Sequence, residues 1–157
     1  MFKILKNKFN YCKDIDWSDV IDKINYEFGT NQTPYHNRTC KCMFDEFYAP
    51  SFVLGNHTYL PGTLSKVCDR VNKEMKTTQC HVYASLGTNS PTFGRHCDSM
   101  DVLIIQSIGS MSYMIDDNDN KCEIVDLDPG DGVIIEKGIY HSPVVKKPRI
   151  TLSFSWD

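Results

Sequence analysis

The stretch Phe93-Gly94-Arg95-His96-Cys97-Asp98 sets a histidine and an aspartate two positions apart. In an extended chain alternate side chains share a face, so His96 and Asp98 project together while Cys97 points the other way, toward a core on the opposite side. An imidazole beside a carboxylate makes two ligands for a divalent metal. His141, in Lys137-Gly138-Ile139-Tyr140-His141-Ser142-Pro143, lies 43 positions beyond Asp98 and can supply a third. Two histidines and a carboxylate occupy one side of a metal and leave the other side open, the geometry of non-haem Fe(II) sites. A His-x-Asp alone is common, so its meaning rests on whether the intervening chain folds His141 back onto it.

The chain has room for that. Its 157 residues suit one domain with a real core, and 41% hydrophobic residues with 11% aromatics is an ordinary globular composition. Seventeen basic residues against 20 acidic leave a net charge of −3, which lends no support to nucleic acid as a partner. No apolar run is long enough to cross a bilayer, and Met1 to Lys8 carries positive charge without the apolar stretch of a secretory signal. The seven cysteines include no Cys-x-x-Cys pair, and the spacing of Cys40 and Cys42 is poor for zinc. Reduced, mostly buried thiols in a cytoplasmic protein are expected.

Residues 1 to about 30 read as a helical or irregular lead-in, with Trp17, Val20, Ile21 and Ile24 at helical spacing and Gly29 as a stop. Residues 30 to 42 are loop, and Phe44 to Leu54, broken by Pro50, has no clear assignment. After Pro61-Gly62-Thr63, the positions Leu64, Val67, Cys68, Val71 and Met75 form one apolar stripe, predicting a helix packed on the back of a sheet. From Cys80 the pattern changes to short strands: 81–86, 92–97, 102–108, 112–116, 122–127, 133–136, 144–146 and 149–156. Turn chemistry separates them at 87–91, 116–120 and 128–131. Eight short strands without a helix among them predict an antiparallel sandwich or jelly roll, and in a jelly roll the inward side chains converge in its mouth. The expected organisation is a single domain, 1–157, with a helical or irregular part (1–79) packed on one sheet of a β core (80–157).

The order of these parts resembles the 2-oxoglutarate-dependent Fe(II) oxygenases of the cupin superfamily, and among them the JmjC-type hydroxylases that include the ribosomal oxygenases. The likeness runs from Val82-Tyr83 through His96-Cys97-Asp98, then Gln106-Ser107-Ile108-Gly109, Pro129-Gly130-Asp131 and His141. It implies a double-stranded β-helix in which His96, Asp98 and His141 hold Fe(II). The Pro129-Gly130-Asp131 turn is then a fold marker, a tight reversal in which Pro sets φ and Gly accepts φ > 0. The JmjC hydroxylases usually place a Lys or Arg two residues after the Gly of Gln-x-x-Gly, to pair with the far carboxylate of 2-oxoglutarate. Here that position is Met111.

A buried carboxylate still needs a cation, and Arg149-Ile150-Thr151 resembles the Arg-x-Ser/Thr on the last strand of other 2-oxoglutarate oxygenases. Arg149, Thr151 and Ser153 share one face by period 2, and an arginine fork with hydroxyls beside it fits a carboxylate. Tyr83 and Gln106 are further candidates for the cavity wall. His57 and His81 read as structural or exposed, and Tyr140 as packing. The resemblance implies a hydroxylase using Fe(II), 2-oxoglutarate and dioxygen, with a protein side chain as the expected substrate. A small molecule or nucleobase is the second reading, and a metal-binding cupin without 2-oxoglutarate the third.

Overall fold

The computed structural model describes residues 1–30, 51–55, 59–88, 90–116 and 121–156. All of the predicted loop at 30–42 except Thr30, residues 44–50, Cys40, Cys42, His57 and most of the 116–120 turn lie outside the described residues. Nine strands are described: β1 (Phe2–Leu5), β2 (Ser51–Gly55), β3 (Gln79–Ser85), β4 (Val102–Ile108), β5 (Met111–Asp116), β6 (Cys122–Leu127), β7 (Gly132–Ile135), β8 (His141–Val145) and β9 (Arg149–Ser155). Two helices, α1 (Trp17–Thr30) and α2 (Gly62–Met75), precede the core strands, with a short 3-10 turn at Asn10–Asp14.

All strand pairs are antiparallel, in a six-stranded sheet of order β1-β7-β4-β9-β3-β2 and a three-stranded sheet of order β6-β5-β8. The chain passes back and forth between the sheets, β3 and β4 in the larger, β5 and β6 in the smaller, then β7, β8 and β9 in alternation. That winding is the double-stranded β-helix expected from the sequence.

One predicted strand is cut to a single bridge. Residues 92–97 run beside β8, where only His96 pairs, with His141. The cause lies in β8. His141 donates to and accepts from His96 on that edge, so by period 2 Pro143 faces the same edge and has no N–H to offer. Pro143 also misled the reading of β8, which begins at His141 and not at Val144, since proline is tolerated where the neighbouring strand runs out.

Two strands appear where none was expected. β1, inside the lead-in, pairs with β7 from Phe2↔Ile135 to Leu5↔Gly132, and β2 pairs with β3 from Ser51↔Ser85 to Gly55↔His81. Both are short strands at the edges of the described sheet, and edge strands carry weak sequence signals.

The core has two layers. Between the larger sheet and the helices lie Leu64, Val67, Cys68 and Val71 of α2, Val20 and Ile24 of α1, and Leu103, Ile105, Ile150, Leu152 and Phe154 of the sheet. Ile21, at helical spacing with these, points to solvent. Between the two sheets lie Val102, Ile104, Met111, Tyr113, Ile115, Leu127 and Val133. Asp19 of α1 accepts from the Thr63 N–H and so caps α2, whose last turn is closed by Trp156 Nε1 donating to the Met75 carbonyl.

The turn at Pro129-Gly130-Asp131 does more than reverse the chain. Gly130 has φ 94°, and a Cβ there would come within 2.6 Å of Asn10 Oδ1. The buried Asp131 carboxylate accepts from the N–H of Asn7 (2.9 Å) and of Asp128 (3.1 Å) and pairs with Lys6 Nζ (2.7 Å). Phe9 N donates to Gly130 O, and Gln106 N to Asp131 O. The turn thus pins the N-terminal segment to β4. Burial pushes the Asp131 pKa up, but Lys6 and the two amides outweigh it, and the net shift is below the ordinary carboxylate range. A depressed folded pKa contributes stability above the unfolded value of about 3.9 and loses it as pH falls through the folded pKa. Asp131→Asn should therefore cost about 2 kcal/mol at pH 7, with the gap to wild type closing as pH falls below the ordinary carboxylate range, as read by denaturant melts across that range.

Candidate active site

Segment 93–98 and the start of β8 are held mainly by backbone bonds, with Asp98 Oδ2 also 3.5 Å from His141 Nε2. His96 N donates to His141 O (3.0 Å) and His141 N to His96 O (2.8 Å), a reciprocal antiparallel pair that sets both imidazoles on one face. Their ring centroids are 4.4 Å apart. Gly138 N donates to Asp98 O (2.9 Å), bringing the carboxylate alongside. The donor atoms of His96, Asp98 and His141 all lie within 4.8 Å of one another.

The tautomers suit a metal. His96 Nδ1 is 2.9 Å from the Gly94 carbonyl and His141 Nδ1 is 3.1 Å from the Ile139 carbonyl. A carbonyl can only accept, so Nδ1 carries the proton in each ring and Nε2 presents its lone pair. Gly94, with φ 70°, turns its carbonyl toward His96. Burial lowers the His141 pKa, and the neighbouring His96 adds to this, while the Ile139 carbonyl and Asp98 oppose it. A histidine held neutral is the form that binds metal. The chemistry and placement of these donors therefore fit a divalent ion.

The triad opens into a cavity of about 680 Å³ between the sheets. Arg149 lines it and is only 4% exposed. Its Nε donates to Ser85 Oγ (3.0 Å), directly across on β3, and another guanidinium N–H donates to the Tyr113 hydroxyl from the opposite sheet. The guanidinium also lies over the Tyr83 ring, 5.6 Å from its centroid. Burial lowers the Arg149 pKa, with Tyr113 and Tyr83 opposing, but a guanidinium keeps its proton at any ordinary pH. Among the described residues it makes no ion pair. A buried cation with neutral partners only is set up to receive an anion.

The remaining sequence candidates divide. Tyr83 and Ser153 line the cavity. Gln106 and Thr151 are fully buried and hold each other, Thr151 Oγ1 donating to Gln106 Oε1 (2.7 Å). The Gln106 amide donates to the carbonyls of Ile108 (2.7 Å) and Gly109 (2.9 Å). It braces the sharp exit from β4, where Gly109 has φ 70° and a Cβ would strike the Pro148 carbonyl. Gln-x-x-Gly thus shapes the corner that seats the start of β9.

Two readings of single residues, His81 and Cys97, need correction. His81, read as structural or exposed, lines the cavity, because Gly55, His81 and Ser153 sit in one row of the larger sheet with inward faces. Cys97 is exposed instead of facing a core, since no strand forms there to turn it inward. Tyr140 is largely exposed and stacks under the Arg95 guanidinium (4.2 Å), which pairs with Asp116. Tyr113 was missed altogether. Its signal was present, an aromatic hydroxyl two positions from Met111 on the same inward face of β5.

The chain matches the JmjC domain family over residues 56–157. Curated proteins give no match. Among solved structures it is similar to YcfD, a ribosomal oxygenase from Escherichia coli. The complex of YcfD with cobalt and succinic acid matches at TM-score 0.59 and 16% identity, over 99% of this chain and 48% of that one. The complex with cobalt and 2-oxoglutarate matches at TM-score 0.52 and 17% identity, over 59% and 28%. An X-ray structure of YcfD matches at TM-score 0.56 and 18% identity, over 68% and 33%. This chain thus spans less than half the length of those structures. With the fold, the triad and the family match in agreement, the chain belongs to the JmjC domain family.

Proposed function

We propose that this protein is an Fe(II)- and 2-oxoglutarate-dependent oxygenase, a hydroxylase whose prime substrate is a protein side chain. The observation that carries the reading is Arg149, a buried cation without a counter-ion among the described residues, in the same cavity as His96, Asp98 and His141. Solved YcfD complexes containing cobalt with 2-oxoglutarate or succinic acid support the choice of cofactor and cosubstrate.

In this reading His96 and His141 hold the metal through Nε2, their Nδ1 protons kept on Gly94 and Ile139. Asp98 contributes the anionic ligand. Arg149 grips the far carboxylate of the 2-oxo diacid, with Ser85 and Tyr113 fixing the guanidinium so that little freedom is lost on binding. Val102, Ile104 and Pro143 make the wall apolar and keep water out. When bound, ferrous iron with 2-oxoglutarate supplies the oxidising power that turns dioxygen and substrate into hydroxylated product, succinate and carbon dioxide.

The same proposal takes residues 1–157 as one domain with 80–157 as catalytic core, to which β1 and β2 add edges. Among the described residues no helix is long and apolar enough to cross a membrane. The five described cysteines are free, which suits a cytoplasmic setting.

Anaerobic addition of Fe(II) and 2-oxoglutarate should produce a visible charge-transfer band, and His96→Ala should abolish it together with succinate release. Unchanged succinate release in that variant would remove the triad from the mechanism. Arg149→Ala should keep metal binding but weaken 2-oxoglutarate about 100-fold, roughly 3 kcal/mol, by calorimetric titration. Unaltered affinity would favour a metal cupin that does not use the diacid. Met111→Lys puts a second cation on the inward face of a closed core and should cost about 3 kcal/mol in thermal melts. Tighter 2-oxoglutarate binding by that variant would show that Arg149 is not the main anchor.

A further inference from the structure

The cavity extends well past what the metal and a five-carbon diacid need. Arg149 sits at one end, its guanidinium held level with its own backbone by Ser85, the residue directly opposite on β3. Tyr113 marks the same end on the smaller sheet. His141 pairs with Ile115, two residues further along β5, so the triad follows Arg149 along the cavity axis. Beyond it the inward face of β9 continues to Ser153 and Ser155, four and six residues up the strand, or ~13 and ~20 Å at the usual rise. Ser155 lies opposite Gln79 on one side and Val102 on the other, and Ser99 and Met100 close this end.

Ser153 and Ser155 are each only 9% exposed and line the cavity, yet neither hydroxyl has a hydrogen-bond partner among the described residues. Buried hydroxyls are nearly always paired, and two unpaired on one strand point to a ligand that completes them. Their neighbour Thr151 is paired, with Gln106, so the vacancy is confined to the far end.

Charge sets the kind of ligand. Among the described residues lining the cavity, the Asp and Arg side chains are Asp98 and Arg149, which the metal and the diacid occupy, and there is no Glu or Lys. Asp101 and Lys137 lie outside, in the adjoining hollow that shares Ser99 and Met100. A charged group entering the far end would lose its water and, among the described residues, meet no Asp, Glu, Lys or Arg, only the imidazole of His81 in the row of Ser153, whereas a neutral polar group would find donors and acceptors ready.

We propose that the Ser153–Ser155 end of the cavity is the subsite for the group to be oxidised, and that it selects an uncharged hydrogen-bonding group such as a carboxamide over a carboxylate or an ammonium. This rests on the oxygenase reading of the site and adds to it the class of group accepted. The hydroxyls supply the hydrogen bonds, and the lack of an Asp, Glu, Lys or Arg partner at that end among the described residues makes them favour a neutral group over a charged one.

The test uses the full chain loaded with Mn(II), whose paramagnetism broadens nearby proton signals, and 2-oxoglutarate. Three probes of similar size are added in turn: N-acetylglutamine amide, N-acetylglutamate amide and N-acetyllysine amide. Binding of Mn(II) and 2-oxoglutarate is measured first, and its failure would overturn the oxygenase reading itself, and the subsite with it. With both bound, the side-chain protons of the glutamine probe should broaden about ten-fold more than those of the charged probes. Ser155→Ala should remove most of that difference and Ser155→Thr, which keeps a hydroxyl, should restore it. Equal or stronger broadening of a charged probe, no broadening of any probe, or an unchanged response in Ser155→Ala would each overturn the subsite.

Discussion

The site depends on one pair of backbone hydrogen bonds, those exchanged by His96 and His141. These residues are 45 positions apart, and the segment carrying His96 forms no strand of its own. The reciprocal bonds close the smaller sheet at that point and fix both rings on the cavity side. Because Nδ1 of each ring is also taken by a carbonyl two residues upstream, each ligand is oriented by the chain that carries it. Asp98 is held through Gly138, so all three donors are positioned by main chain, the least deformable part of the molecule.

β9 links this site to the rest of the fold. Its outward residues, Ile150, Leu152 and Phe154, are buried under the helices, and its inward residues, Arg149, Thr151, Ser153 and Ser155, are buried as well. A strand buried on both faces is usually apolar on both. The polar inner face here is compensated unevenly. Thr151 is satisfied by Gln106, and Arg149 has neutral partners but, among the described residues, no opposite charge. Ser153 and Ser155 have none among the described residues. The degree of compensation falls where a ligand is expected to enter, which is how a binding wall differs from a core.

The N-terminal part is more than a cover. β1 extends the larger sheet at one edge and β2 at the other, and the Asp131 turn ties residues 6–9 to β4. The Pro-Gly-Asp turn and the Gln-x-x-Gly corner, both visible as motifs, turn out to be structural devices. Each uses a glycine at positive φ where another segment comes too close for a Cβ, the 3-10 turn in one case and Pro148 in the other.

Much of the fold was legible in the sequence because period 2 and turn chemistry are local. β4, β6, the helix at Gly62–Met75 and the sharing of one face by Arg149, Thr151 and Ser153 follow from neighbouring residues alone. The shared face of His96 and Asp98 was legible for the same reason, whereas His141 was joined to them only through the family resemblance. Tertiary structure decided what depends on a partner segment. Pro143 cut the strand at 92–97 to one bridge, and edge pairing made strands of Phe2–Leu5 and Ser51–Gly55. The row running from Gly55 through His81 to Ser153 brought His81 to the cavity, and the facing sheet brought Tyr113 to Arg149. Thr151 and Ser153 look alike in sequence, but Gln106 stands opposite only one of them. Whether a hydroxyl is spent or available is a property of what faces it, and that is set only when the sheets close.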